Sequence, residues 1–264
     1  MLIPIHTVDA FTDKPFSGNP AGVCILEKEL NDKQMQNIAF KMNLSETAFI
    51  VRSGKDFLLR WFTPVAEINL CGHATLASAH LLREQGIVKV EDIIHFHTKS
   101  GLLTARFKDE EIELNFPAMD TEEISIFPDL EKAIGTKPVY TGKSKWIYIA
   151  ELKNAEEIRS LKPDIETMRT LPFSGEVLVT AKADMPGYDF ISRFFAPSMG
   201  VNEDPVTGSA HCVLGPYWMK KLNKNIFKAY QASKRGGTLG VRVQGDRVYL
   251  TGKAVTVLTV EMTA

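Results

Sequence analysis

Cysteine is scarce in this chain. Among 264 residues there are three, Cys24, Cys71 and Cys212, odd in number and widely spaced. That argues against a disulfide framework and for a reducing compartment, the cytoplasm. An excess of either charge is missing as well: Lys+Arg 31 against Asp+Glu 32. Such a balance gives no electrostatic footprint for nucleic acid or an anionic membrane. No apolar run approaches the ~20 residues that cross a bilayer. The opening segment, Met1 to Ala10, lacks a basic n-region and meets His6 and Asp9 too early for a signal peptide. Familiar nucleotide sites are lacking too. Gly142-Lys143-Ser144 resembles the end of a P-loop, but the position that needs the earlier glycine is Lys137. Gly236, Gly237 and Gly240 fall in a strand-rich segment rather than at a strand-to-helix turn, which speaks against a dinucleotide site. His95 and His97 share a strand face, yet no third metal ligand is evident, and an ordinary half-exposed strand is the simpler reading.

What is present is a repeat. Arg60-Trp-Phe-Thr-Pro64 recurs as Arg193-Phe-Phe-Ala-Pro197, and each copy runs through a polar linker into a Gly-x-Ala helix start, Gly72-His73-Ala74 and Gly208-Ser209-Ala210. The pairing of motif and helix start points to duplication. The chain is long enough for one or two domains. We expect lobes spanning residues 1–117 and 118–253, divided where the pattern breaks into Pro117–Glu123. The last strand, 254–264, is a candidate to join the first lobe.

Around these anchors, Phe57–Phe62 and Asp189–Phe195 read as strands. Gly72–Glu84 reads as a helix with Gly86 as its C-cap. Its apolar positions nearly encircle it, as in a buried helix. The second helix runs from Gly208 towards Met219, and Pro216 should kink or end it. Asn31–Met42 is an amphipathic helix behind an Asn31 or Asp32 cap, with Met35, Ile38, Ala39 and Met42 on one face. His95–His97, Leu102–Phe107 and Ile112–Phe116 suggest a meander, and Leu239–Val243 with Arg247–Thr251 a hairpin around Gly245-Asp246. Tight turns between neighbouring strands imply mainly antiparallel sheet and an α+β fold.

Two glycine-led helix starts are the best candidates for chemistry. Each offers backbone N–H groups and the positive end of a dipole to a carboxylate, and glycine permits close approach. Two pointed at one cleft would clamp a small anion and stabilise charge developing beside it. His73, on the first turn, is either a cap or a general acid–base. Asp204 is either a turn-former before Pro205 or a site residue. Glu46 opens an apolar strand, either as surface punctuation or as a base raised in pKa by burial.

At these residues the sequence resembles the PhzF-like (phenazine-biosynthesis) family, whose fold is related to diaminopimelate epimerase. The matching segments are Asp9-Ala-Phe-Thr12, Phe16-Ser-Gly-Asn-Pro-Ala-Gly22, Leu44-Ser-Glu-Thr-Ala-Phe49, Arg60–Pro64, Leu70–Ala77, Glu203–His211 and Gln231–Gly237. The resemblance implies two pseudo-repeated lobes, each a curved, mainly antiparallel sheet around a central helix, with the active site between them. It also implies isomerisation of a small carboxylate by proton transfer, without metal or organic cofactor. In that family the glutamate matching Glu46 removes a proton and returns it to another carbon. Positions matching His73, Asp204 and Ser209 surround the substrate, with Gly72, Gly208, Asn19 and Ser45 helping to bind it. Homodimers are common in the family. Related epimerases use one cysteine at each helix start, so a two-thiol racemase through Cys71 and Cys212 is an alternative. A silent carboxylate-binding protein is another.

Overall fold

The computed structural model describes residues 2–172 and 175–263. The chain divides into two units, one running to Phe116 and resuming at Tyr249, the other Pro117–Val248. The first passage contains β1 (Leu2–Ala10), β2 (Asn19–Leu26), α1 (Asp32–Met42), β3 (Glu46–Ser53), β4 (Asp56–Phe62), β5 (Glu67–Ile68), α2 (Gly72–Glu84), β6 (Ile93–Thr98), β7 (Gly101–Lys108) and β8 (Glu111–Pro117). Then come β9 (Glu122–Glu123), α3 (Pro128–Ile134), β10 (Tyr140–Ser144), β11 (Ile147–Glu151), α4 (Ala155–Ser160), α5 (Ile165–Thr170), β12 (Glu176–Lys182) and β13 (Phe190–Ala196). They are followed by β14 (Val201–Asp204), α6 (Gly208–Leu222), β15 (Ile226–Gln231), β16 (Gly237–Gln244), β17 (Arg247–Gly252) and β18 (Ala254–Thr263). The fold is α+β and dominated by sheet. No helix among the described residues is long and apolar enough to cross a membrane.

Strand pairing repeats between the units. In the first, β1 and β2 are antiparallel, β2 and β3 parallel, and β3 and β4 antiparallel. Strand β4 then pairs with β5 antiparallel and with β6 parallel, and β6 pairs with β7 antiparallel. In the second, β10–β11, β11–β12, β12–β13, β13–β14, β13–β15 and β15–β16 follow the same sequence of directions. Within the first unit, β18 lies antiparallel along β1.

The Arg of each repeated motif has the same work. Arg60 Nε and Nη2 donate to both oxygens of Glu67, each at 2.8 Å. Arg193 donates likewise to Glu203 at 2.7 and 3.0 Å. Each guanidinium also lies over the Phe two residues on, Phe62 at 5.3 Å and Phe195 at 5.1 Å. A bidentate pair and a cation–π contact hold the strand to the segment that leads into its central helix.

Both central helices are buried on nearly every face, as their apolar encirclement requires. Helix α2 packs on β1, β2, β3 and β18. Its end is a Schellman turn: Gly86, at φ +69°, sends its N–H to Arg83 O, and Ile87 sends its own to Leu82 O. Helix α1 is capped by Asn31 with Gln34 in a capping box. It buries Met35, Ile38 and Ala39 with Phe49 and Phe62 on the other side of the strands.

Pro216 does not end α6, which runs on to Leu222. A proline removes the N–H that would bond Cys212 O, four residues back. Here the Met119 N–H takes that carbonyl at 3.0 Å, so no buried acceptor is left open. Inside α6, Trp218 donates to Thr180 at 3.0 Å and stacks on Phe190.

Candidate active site

Strand β3 alternates between its two faces. Phe49 and Val51 pack towards α1, which turns Glu46, Ala48 and Ile50 to the α2 side. Glu46 is the first residue of the strand and is mostly buried, with a side chain 14% exposed. Its Oε2 lies 3.1 Å from Nε2 of His73, which is buried on the first turn of α2. The two atoms are close but not aligned as a hydrogen bond. On the other side of the ring, Nδ1 is 3.2 Å from the Asn19 amide nitrogen and 3.5 Å from Cys71 Sγ. As oriented, the amide donates to Nδ1, which leaves the ring proton on Nε2, facing Glu46. An imidazolium would need the amide to turn its oxygen to Nδ1.

Burial disfavours a charged His73, but Cys71 and Glu46 beside it more than offset that, holding its pKa well above 6.5. Burial pushes the Cys71 thiol up to about 11. Glu46, Cys71 and His73 have ligand atoms within 4.8 Å of one another, the one set among the described residues that could hold a metal ion by this measure. However, the ring turns Nε2 to Glu46 and Nδ1 to Cys71. It lies between the carboxylate and the thiol instead of pointing with them at a common centre, an arrangement suited to proton transfer.

The segment that delivers Asn19 is held in unusual backbone. Phe11, Phe16 and Gly18 all have φ near +65°. A Cβ at Gly18 would stand 2.2 Å from Ala10 O, so glycine is required there. Buried Asp9 accepts the Phe16 N–H at 2.7 Å. Asn19 is fully buried, while Ser45 and Gly72 are half-buried at the starts of β3 and α2.

In the second unit, Asp204 ends β14 and accepts the Thr207 hydroxyl. Gln231 fastens this turn, accepting the Thr207 N–H at 2.9 Å and donating to Asp204 O at 2.8 Å. Gly208 is buried and Ser209 half-buried at the start of α6. His211 donates Nδ1–H to Thr207 O at 2.8 Å, and burial drives its pKa down to about 4, so it stays neutral. Side chains cap α1, α4 and α5, through Asn31, Asn154 and Asp164, but neither Cys71 nor Thr207 caps its central helix. The first-turn N–H groups of α2 and α6 are therefore not satisfied by a cap side chain.

The two N-cap positions answer each other in the repeat, and they hold Cys71 and Thr207. Cys212 lies one turn further into α6, where burial pushes it up to about 12. A facing pair of thiols at the helix starts is thus not what this chain carries.

Comparison with known proteins agrees with this architecture. A family model described as phenazine biosynthesis-like protein matches residues 8–260. An uncharacterized isomerase of Halalkalibacterium halodurans is 50% identical over 263 residues, covering 99% of each chain. This chain is an isomerase of the phenazine biosynthesis-like family. A crystal structure of a phenazine biosynthesis protein of the PhzF family from Enterococcus faecalis covers 100% of both chains at 44% identity, with a TM-score of 0.95. A probable proline racemase from Agrobacterium radiobacter has a TM-score of 0.69 at 13% identity, covering 99% of this chain and 93% of its own, a likeness of fold alone.

Sequence reasoning missed one residue in this isomerase. Arg60 pairs in register with Phe49, and Arg193 with Val179. Three residues before each partner stand Glu46 and Glu176, so Glu176 is the counterpart of Glu46. It also faces the central helix, since Val177, Val179 and Ala181 pack towards α3, α4 and α5 while Thr180 bonds Trp218 of α6. Burial pushes its carboxyl up to about 7, against a hydrogen bond from Trp146. The equivalence is hidden in sequence because the turn joining β12 to β13 is longer than that joining β3 to β4.

Proposed function

We propose that this isomerase moves a proton on a small carboxylate substrate by acid–base catalysis, with Glu46 as the base. The observation that carries the reading is the 3.1 Å contact between Glu46 and His73 at the uncapped start of α2. A desolvated carboxylate beside an imidazole can take a carbon-bound proton and have its charge stabilised as it does so. First-turn N–H groups without a cap side chain suit the substrate carboxylate and the negative charge that develops next to it.

Asn19 sets the orientation of His73 through Nδ1. Ser45 and Gly72 flank Glu46 and His73 in the chain and serve binding. In the second unit, Asp204, Gly208 and Ser209 are given substrate-facing roles on the strength of the family likeness. The proton leaves carbon for a Glu46 oxygen and is then delivered to a second carbon, so no redox partner enters the balance.

The test is a screen of small unsaturated and cyclic carboxylates in deuterium oxide, following enzyme-dependent C–H exchange by NMR. Wild-type protein should exchange at one or two defined carbons of at least one compound, and Glu46→Gln should not. Tight binding of such carboxylates without any exchange would leave a binding protein instead.

A further inference from the structure

We propose that Thr207 is a positioning residue for Asp204, aimed at its carboxyl group by Gln231; the inference rests on the reading that Asp204 faces the substrate. The Thr207 hydroxyl donates to Asp204 Oδ2. Its direction follows from the amide behind it. Gln231 Oε1 accepts the Thr207 N–H at 2.9 Å, and Gln231 Nε2 donates to Asp204 O at 2.8 Å. A backbone N–H only donates and a carbonyl only accepts, so the amide cannot be reversed. The same Nε2 stands 3.1 Å from Thr207 Oγ1 and gives it a hydrogen. The hydroxyl keeps its own hydrogen for the carboxylate, which only accepts.

This chain of donors is anchored in the sheet and not in the turn that it serves. Gln231 is fully buried at the end of β15, opposite Ser192 of β13 and Gly237 of β16. Just beyond it, Ser233 donates to Pro205 O at 2.8 Å. Residues 231–233 therefore grip the turn at Asp204 O, Pro205 O and the Thr207 N–H, and none of these three bonds uses the Thr207 hydroxyl. The hydroxyl has a separate task. Thr207 is the N-cap of α6, where a threonine commonly gives its oxygen to an N–H of its own helix. Here it makes no such bond. A cap is forgone, and the hydroxyl fixes the orientation of the half-buried Asp204 carboxylate instead.

Two substitutions separate that task from the fold of the turn. Thr207→Val keeps the branched shape and the N–H bonded to Gln231 but removes the hydroxyl, whereas Thr207→Ser retains it. Crystal structures of both should show the backbone of 204–207 in place. The Asp204 carboxyl should be turned or split between orientations in Thr207→Val and unmoved in Thr207→Ser. The second readout is kcat/KM on the carboxylate that wild-type protein exchanges fastest in deuterium oxide. Thr207→Val should lose about tenfold to hundredfold, as a misplacement of ~1 Å can cost, and Thr207→Ser should stay near the wild-type rate. An unmoved Asp204 in Thr207→Val overturns the inference, as do wild-type rates in that variant beside an impaired Asp204→Asn. A loss shared equally by Thr207→Ser also overturns it, because the hydroxyl would then not be what matters. Wild-type rates in Asp204→Asn would overturn the reading of Asp204 itself, and this inference with it.

Discussion

Glu176 links ionisation to stability in a direction opposite to most surface carboxylates. Its pKa is about 7 in the folded chain against an ordinary 4.5, so the folded state holds the proton more tightly than the unfolded state. Stability from this group is complete below about pH 4.5, falls as pH rises, and is gone above about pH 7. Each pKa unit corresponds to ~1.4 kcal/mol, and partial exposure screens it, which gives a total of about 1–3 kcal/mol. Urea midpoints at pH 5 and pH 8 should therefore drop more in wild-type protein than in Glu176→Gln. Equal slopes would show that Glu176 is not held neutral by its burial. At this scale the local motifs were legible, and Glu46, His73 and Asp204 sit in them as candidate site residues. The contact between Glu46 and His73 was not, because it joins a strand start to a helix start 27 residues apart, and no local pattern encodes that distance.

Helices and strands were legible wherever local signals decided them. Helix α2 runs from Gly72 to Glu84 as its apolar pattern and Gly86 predict, and α1 begins behind the Asn31 cap. Helix α6 differs because the acceptor freed by Pro216 is satisfied from Met119, far away in sequence. This has a testable consequence. Proline in a helix interior costs ~3 kcal/mol relative to alanine in isolated helices. In Pro216→Ala the new N–H would compete for a Cys212 carbonyl already bonded by Met119. The gain in urea should fall well short of that figure, at about 1 kcal/mol or less. A gain near the full value would mean that the Met119 bond contributes nothing.

Across the molecule, the duplication was legible because Arg60 and Arg193 perform one task twice, each gripping a glutamate and covering a phenylalanine. The repeated order of strand directions carries the same signature, although the β3 and β12 sequences share little beyond a leading glutamate. The chemistry has diverged between the copies: His73 in the first helix start is answered by Ser209 in the second, and Cys71 by Thr207. An isomerase built this way should depend on a carboxylate and not on thiols. The most direct measurement compares Glu46→Gln with the Cys71→Ser, Cys212→Ser double variant, using turnover of a carboxylate found by deuterium exchange. Glu46→Gln should lose about 10²–10⁴-fold or more while staying folded, as loss of a general base typically does. The double variant should keep most of its activity, with some stability lost where a hydroxyl replaces a buried thiol. A folded double variant without activity, beside an active Glu46→Gln, would contradict the account.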